Sequence, residues 1–98
     1  MAFSNKPESL DALLKNYLKR MPQKKEMKRG LILHMWPKVV GEQVTRATLD
    51  LYFDQDKLFV KVVNEAWRHE LTMNRFSIAK KLNEKVDGKI IKEIVVLS

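Results

Sequence analysis

Two neighbouring stretches of hydrophobic alternation constrain the fold of this chain more than any other feature of its sequence. Apolar and other residues alternate over 49–53, and the same period of two returns over 58–62. A period of two is typical of strands that bury one face. A turn at residues 54–57 would join the two strands into a hairpin. The predicted inner pairs are Phe53 with Leu58, Leu51 with Val60, and Leu49 with Val62.

The outer face of the same hairpin supports this register. It places Asp50 opposite Lys61 and Tyr52 opposite Phe59. Opposite charges and aromatic pairs stabilise facing strands, and neither pair was used to choose the register. Tyr52 and Phe59 form either a stabilising cross-strand pair or a platform for stacked bases. We favour the pair.

Helices are predicted on the N-terminal side of the hairpin. Apolar residues at helical spacing indicate an amphipathic helix over about residues 7–20 and a second one over about residues 24–35. Pro37 disfavours helical geometry at Trp36, so we expect a break or a kink there. Gly41 then closes a short helical turn as its C-cap.

A third helix and a third strand are predicted on the C-terminal side. Asn64 is placed to cap a helix over about residues 65–84, and Asp87-Gly88 marks a turn before a β-branched strand over residues 90–97. The predicted order is α-α-β-β-α-β. This is an α+β fold with its helices packed on one face of a three-stranded sheet.

Length and composition set the class of protein. A chain of 98 residues makes a single domain, residues 1–98, because it cannot supply two independent cores. The absence of cysteine excludes disulfides and thiolate zinc sites and fits a cytoplasmic protein. Charge-free stretches such as residues 30–37 are far shorter than the roughly 20 residues that cross a bilayer, and the first residues do not resemble a signal peptide. We expect no membrane association.

Positive charge is concentrated in one short stretch. The whole chain carries a formal charge of +7, and residues 15–29 hold seven basic residues against Glu26 alone, a balance of +6. Such a local field attracts polyanions, of which nucleic acid is the commonest, although many charge runs are only solvated surface. The candidate nucleic-acid-binding residues are Lys15, Lys19, Arg20, Lys24, Lys25, Lys28 and Arg29.

The sequence gives little support to an enzyme. It has no phosphate-binding loop and no dinucleotide-binding glycine motif, and His34 and His69 lack the spacing of zinc ligands. Asp54 and Asp56 flank the hairpin turn, where aspartate is common; with Asp50 they could bind a metal, but the glycine and distal glutamate of a calcium loop are missing. We therefore expect no catalytic residues, no cofactor, no metal and no small-molecule substrate. A hydrolase or nuclease built on these three aspartates is the weakest of the alternatives.

Three segments together resemble the bacterial DciA family. They are Trp36-Pro-Lys-Val-Val-Gly41, Leu58-Phe-Val-Lys-Val-Val63 and Ala66-Trp67-Arg-His-Glu-Leu71. Their order and spacing are far more specific than any one of them. The resemblance covers about residues 25–97, and its signature positions are Trp36, Gly41, Trp67 and Leu71. We expect both tryptophans to serve the core.

The resemblance implies a K-homology-like fold and a helicase loader that does not itself hydrolyse ATP. A K-homology domain that clamps nucleic acid uses a G-x-x-G loop, and Gly30, Gly41 and Gly88 form none. Contact with DNA is therefore expected from the basic N-terminal helices.

A second candidate surface lies on the third predicted helix. His69, Met73, Phe76 and Lys80 are spaced 4, 3 and 4 residues apart, opposite the stripe that contains Trp67. They either pack on the N-terminal helices or bind a partner protein.

Together these features predict a non-enzymatic accessory factor of DNA replication. It would contact the replicative helicase and bind DNA without reading its sequence. The alternative is a K-homology-like RNA-binding module.

Overall fold

The computed structural model describes residues 25–98. In chain order, its elements are α1 (Lys25–Val40), α2 (Glu42–Ala47), β1 (Thr48–Asp54), β2 (Lys57–Val62), α3 (Glu65–Met73), α4 (Arg75–Lys85) and β3 (Glu93–Leu97). The predicted helix over residues 7–20 lies outside the described residues. The predicted α+β class is confirmed: the helices pack with a three-stranded sheet in the order β1-β2-β3. β1 is antiparallel to β2, and β3 is parallel to it.

The core lies between the helices and the inner face of the sheet. Its buried side chains come from β2 and β3 on one side and from all the longer helices on the other. They include Leu58, Val60, Ile94, Ile32 and Leu82. The alternation that defined the strands therefore also defines which sheet face the helices cover.

The hairpin follows the predicted register at all but one position. Asp50 faces Lys61, Tyr52 faces Phe59, and Phe53 faces Leu58. The predicted pairing of Leu49 with Val62 is wrong, because a bulge between Thr48 and Asp50 brings Thr48 opposite Val62 and leaves Leu49 61% exposed. The Thr48 hydroxyl accepts a hydrogen bond from Trp36 Nε1 at 3.2 Å and donates to the Val44 carbonyl at 2.7 Å. These two bonds hold Thr48 in the inward position.

Helix α1 continues through the proline that was expected to interrupt it. Its 16 residues include Pro37, so of the predicted break or kink at Trp36 the break is wrong. A proline inside a helix costs roughly 3 kcal/mol. Burying a tryptophan removes about 150–250 Å² from water, worth roughly 4–6 kcal/mol at about 25 cal/mol per Å². Trp36 is buried, and this gain outweighs the lost hydrogen bond.

Gly41 separates α1 from α2, a short helix that the sequence analysis did not predict. Its φ of 91° lies in the region that favours glycine. Its N–H donates to the Pro37 carbonyl at 3.0 Å, and its carbonyl accepts from Thr45 N at 3.0 Å. Gly41 therefore satisfies backbone groups of both helices, in addition to its predicted role as the C-cap.

The prediction of a single helix over residues 65–84 is wrong, because the structure has two helices that meet at Asn74. Asn74 adopts φ −103° and ψ 9°, and its side-chain amide donates to the Glu70 carbonyl at 2.9 Å. Asparagine competes in this way with helical backbone bonds. The apolar stripe survives the break, since Leu71 and Leu82 are buried and Trp67 and Ile78 pack at the margin of the core.

The third strand begins three residues later than predicted, at Glu93. Ile90 and Ile91 are buried, but their N–H groups donate to Asn83 Oδ1 at 3.1 and 2.9 Å instead of to a strand. The Asn83 amide also donates to the Ile91 carbonyl at 3.0 Å. The Asn83 side chain on α4 thus supplies the hydrogen bonds that a neighbouring strand would otherwise make with Ile90 and Ile91.

Asn64 caps α3 as predicted, and its side-chain oxygen accepts a hydrogen bond from Trp67 N at 2.9 Å. We expect Asn64→Ala to lower the free energy of unfolding by about 1 kcal/mol, because the first turn loses this acceptor. Asn64→Ser should keep the cap and change stability by only a few tenths of a kcal/mol. Urea denaturation of both variants measures the difference. Equal stability of the two variants would contradict the role of the cap.

Candidate nucleic-acid and partner interface

Three of the seven candidate nucleic-acid-binding residues lie within the described chain, at the start of α1. They are Lys25, Lys28 and Arg29; Lys15, Lys19, Arg20 and Lys24 lie outside it. Lys25 is exposed, and Lys28 is half-buried. Lys28 Nζ donates to the Asp87 carbonyl at 3.3 Å, in the turn that follows α4.

Arg29 makes contacts within the fold and is a poor candidate for binding phosphate. Its guanidinium lies 4.0 Å from Asp56 Oδ1 and 5.8 Å from the centre of the Phe53 ring. Its side chain is only 26% exposed, and its Nε is buried without a hydrogen-bond partner. Arg29 thus joins α1 to the β1–β2 turn. Lys25 and Lys28 are the better phosphate candidates among the described residues.

The candidate partner-binding residues are exposed, but they divide between two helices. His69 and Met73 belong to α3, and Phe76 and Lys80 belong to α4. Met73 is 69% exposed and Phe76 is 75% exposed. The Arg75 guanidinium lies 4.6 Å from the centre of the Phe76 ring and covers one side of it. Two large apolar side chains beside one helix junction are unusual on a surface that contacts only water.

A groove of about 400 Å³ lies between Phe76 and the turn that Lys28 contacts. Its lining includes Phe76, Ala79 and Lys80 from α4, with Gly88 and Lys89 from the turn after it. Lys28 lies at the edge of this turn, since a Cβ atom on Gly88 would approach Lys28 Nζ to 3.2 Å. Glu84 and Asp87 also line the groove. The basic start of α1 and the exposed Phe76 surface are therefore neighbours.

Sequence reasoning missed Lys89, and it also missed a group of lysines along the seam between α1 and α4. Lys38, Lys81 and Lys85 line a second groove of about 340 Å³ together with Glu84. Residue 38 lies far from residues 81 and 85 in the sequence, so only tertiary packing brings them together. For Lys89 the nearby Asp87-Gly88 turn was the one available signal, because a turn brings its neighbours to the surface.

The signature positions of the resemblance are mostly structural. Trp36 and Leu71 are buried in the core, and Gly41 links two helices. Trp67 is half-buried, and its exposed part lines a groove of about 590 Å³ between α2 and the α3–α4 junction. The expected core packing thus holds fully for Trp36 and in part for Trp67.

The outer face of the sheet carries the aromatic pair. The rings of Tyr52 and Phe59 are stacked at 5.2 Å, with an angle of 3° between their planes. The charged residues of this face nearly cancel: Lys57 and Lys61 stand against Asp50, Asp54 and Glu93. A platform for nucleic acid would need a positive surround, so the pair serves the hairpin.

Two of the three hairpin aspartates, Asp50 and Asp56, make local contacts. Asp56 lies 3.5 Å from Lys92 Nζ in addition to its contact with Arg29, and Asp50 Oδ1 accepts a hydrogen bond from Leu51 N at 2.9 Å. Within residues 25–98, no three or more His, Cys, Asp or Glu side chains gather where they could hold a metal ion.

In the same part of the chain, no helix is long and apolar enough to cross a membrane.

Comparison with known proteins tests the resemblance. The model of the family described as "Dna[CI] antecedent, DciA" matches residues 9–96. The chain belongs to the DciA family. A "UPF0232 protein" of Corynebacterium glutamicum (strain R) is 29% identical over 87 residues, covering 89% of this chain and 49% of that protein. This DciA-family chain thus spans about half the length of the curated relative that it matches.

Proposed function

We propose that this protein is an accessory factor of DNA replication that contacts the replicative helicase and holds DNA by its sugar–phosphate backbone. The observation that carries the proposal is the family match over residues 9–96. The DciA family implies a role associated with helicase loading. The factor would work by tethering and without catalysis, in the cytoplasm.

The DNA-binding part of the proposal rests on charge. The basic stretch of residues 15–29 supplies Lys15, Lys19, Arg20, Lys24 and Lys25, with Lys28 at its edge. Lysine binds phosphate as a point charge and does not read bases in this setting. Binding should therefore be independent of sequence and steeply dependent on salt.

The helicase-binding part rests on the exposed apolar residues. Met73 and Phe76 form the centre of the proposed contact, with His69 and Lys80 at its edges. Large aromatic side chains commonly anchor protein interfaces, and charged side chains commonly form the rim.

A pull-down tests the helicase-binding part of the function. The chain is immobilised and mixed with the purified replicative helicase, with and without nuclease treatment. We expect the helicase to be retained in both cases, because the proposed contact is made by protein. Retention that disappears after nuclease treatment would contradict a direct contact. Stronger binding to RNA than to DNA of the same sequence would favour the RNA-binding alternative.

A further inference from the structure

The two outer strands of the sheet differ in how well their free edges are protected. β1 and β3 lie on either side of β2, so each has one edge without a strand partner among residues 25–98. Natural proteins protect such edges with charged side chains, prolines and bulges. β1 has a bulge between Thr48 and Asp50, and it carries a second aspartate at Asp54. β3 pairs with β2 without a bulge, and every side chain of residues 94–97 is apolar.

The backbone of β3 is available on the side away from β2. Within the described part of the chain, the backbone hydrogen bonds of residues 93–97 all go to β2. An edge strand of this kind presents a row of N–H and C=O groups that point away from the sheet. The free edge of β3 can therefore accept one more strand.

We propose that β3 pairs with β3 of a second copy of this chain, antiparallel and centred on Val95, so that the two sheets become one. A two-fold axis would relate the copies, and each would contribute the same residues to the contact. The inference does not depend on the proposed binding of DNA or of the helicase. Five residues from each copy make a small interface, so the association should be weak and dependent on concentration.

The side chains of β3 fit this register. Val95 faces Val95 of the second copy, Ile94 faces Val96, and Glu93 faces Leu97. Each side chain stays on its own face of the sheet, since Ile94 and Val96 both belong to the buried core and the other three lie on the outer face. The one charged side chain of the strand, Glu93, faces a leucine, so no like charges are opposed.

The same pairing is unfavourable for β1. The regular part of this strand, residues 50–54, would be centred on Tyr52. Asp50 would then face Asp54 of the second copy, and the symmetry would repeat this pair. Like charges directly opposite each other destabilise facing strands. Charge therefore favours β3 over β1 as the edge that joins two copies.

The outer face of the sheet would gain a longer apolar row from the pairing. Tyr52, Phe59 and Val95 lie side by side across the three strands. Pairing at Val95 would continue this row through the same three residues of the second copy. Val95 is half-buried and Leu97 is 39% exposed in the single chain. The contact would therefore remove apolar surface from water, which favours association.

Cysteine cross-linking tests the register, because the chain has no cysteine of its own. Facing residues of an antiparallel pair have Cα atoms about 4.5–5.5 Å apart, which a disulfide can bridge. Val95→Cys should therefore form a linked dimer under mild oxidation. Leu97→Cys is the matched control on the same strand and face. Its two copies would lie about 13 Å apart along the strands, too far for a disulfide.

Mixing Glu93→Cys with Leu97→Cys should give a mixed dimer, because these positions face each other in the proposed register. Each sample is treated with nuclease first, so that nucleic acid cannot hold two chains together. Equal cross-linking of Val95→Cys and Leu97→Cys would indicate contact without a fixed register and would overturn the proposal.

Sedimentation equilibrium tests the association without a cross-link. The average mass of the parent should rise toward that of two chains at roughly 0.1–1 mM, where a weak complex is populated. Val95→Lys places two lysines opposite each other and should weaken the association roughly fivefold or more. Val95→Thr keeps a β-branched side chain and should associate like the parent. A parent that stays a single chain throughout this range, together with a Val95→Cys variant that stays unlinked, would contradict the pairing and would mean that something else covers the edge of β3.

Discussion

Reversing the charge of Lys24 and Lys25 should weaken DNA binding roughly 25- to 60-fold near 0.1 M salt. Each phosphate contact contributes about 0.7 to 0.9 to the slope of log affinity against log salt, so two lost contacts remove about 1.4 to 1.8 from it. If the parent neutralises four to six phosphates, its own slope should be roughly −3 to −5. Titrations of Lys24→Glu/Lys25→Glu over a range of salt concentrations measure both quantities.

The choice of residues follows from the surroundings of α1. Arg29 is omitted because it lies against Phe53 and Asp56, so reversing its charge would disturb the fold as well as the surface. Arg46→Glu/Arg68→Glu provides a control with the same change in net charge at other helices. Surface substitutions usually change stability by no more than about 0.5 kcal/mol, and thermal melts can verify this for each variant. DNA affinity equal to that of the parent would mean that the basic stretch is only solvated surface.

Phe76→Ala should abolish most helicase retention and barely change stability. A buried phenylalanine costs about 3–5 kcal/mol when truncated, but Phe76 is 75% exposed. Its truncation should cost no more than about 1 kcal/mol, chiefly the contact with the Arg75 guanidinium. An aromatic anchor of an interface contributes about 2 kcal/mol or more, which corresponds to a loss of affinity of roughly 30-fold.

Leu82→Ala is the matched control for Phe76→Ala, since Leu82 lies on the same helix and is buried. It should lower the free energy of unfolding by about 2–5 kcal/mol and depress the melting temperature. Thermal melts and helicase titrations of the two variants separate surface from core. If Phe76→Ala retains the helicase like the parent, the helicase contact lies elsewhere on the chain.

The sequence predicted the parts of the fold that depend on local pattern. Alternation alone was sufficient for four of the five predicted hairpin pairings, and Asn64 was recognised as a cap by its position before a helical stripe. Leu49 was placed wrongly because Trp36, 12 positions before Thr48, determines which residue turns inward. Pro37 and Asn74 led to opposite errors. A break or kink was predicted at Pro37, where the helix continues, and one unbroken helix was predicted across Asn74, where two helices meet. Core burial overrode the proline, and a side-chain hydrogen bond to the backbone ended a helix that no proline interrupts.

The candidate site was predictable only in its separate parts. The charge of residues 15–29 and the exposure of Phe76 follow from composition and helical spacing. Their proximity does not, because Lys28 and Asp87 are 59 positions apart and meet only when α1 packs against α4. For the same reason the sequence suggested two well-separated binding functions, whereas the structure places Lys28 beside a groove that Phe76 and Lys80 line.

The parallel pairing of β2 and β3 has a consequence for the order in which the chain folds. The β1–β2 hairpin closes through a short turn, but β3 can reach β2 only after the chain has passed through both α3 and α4. Contacts between residues distant in the sequence form late, because the cost of closing a long loop comes before their gain. β2 is the central strand of the sheet, with β3 on the edge away from β1. An incompletely folded chain would therefore hold the hairpin with one edge of β2 unpaired, and an unpaired strand edge can pair with another chain.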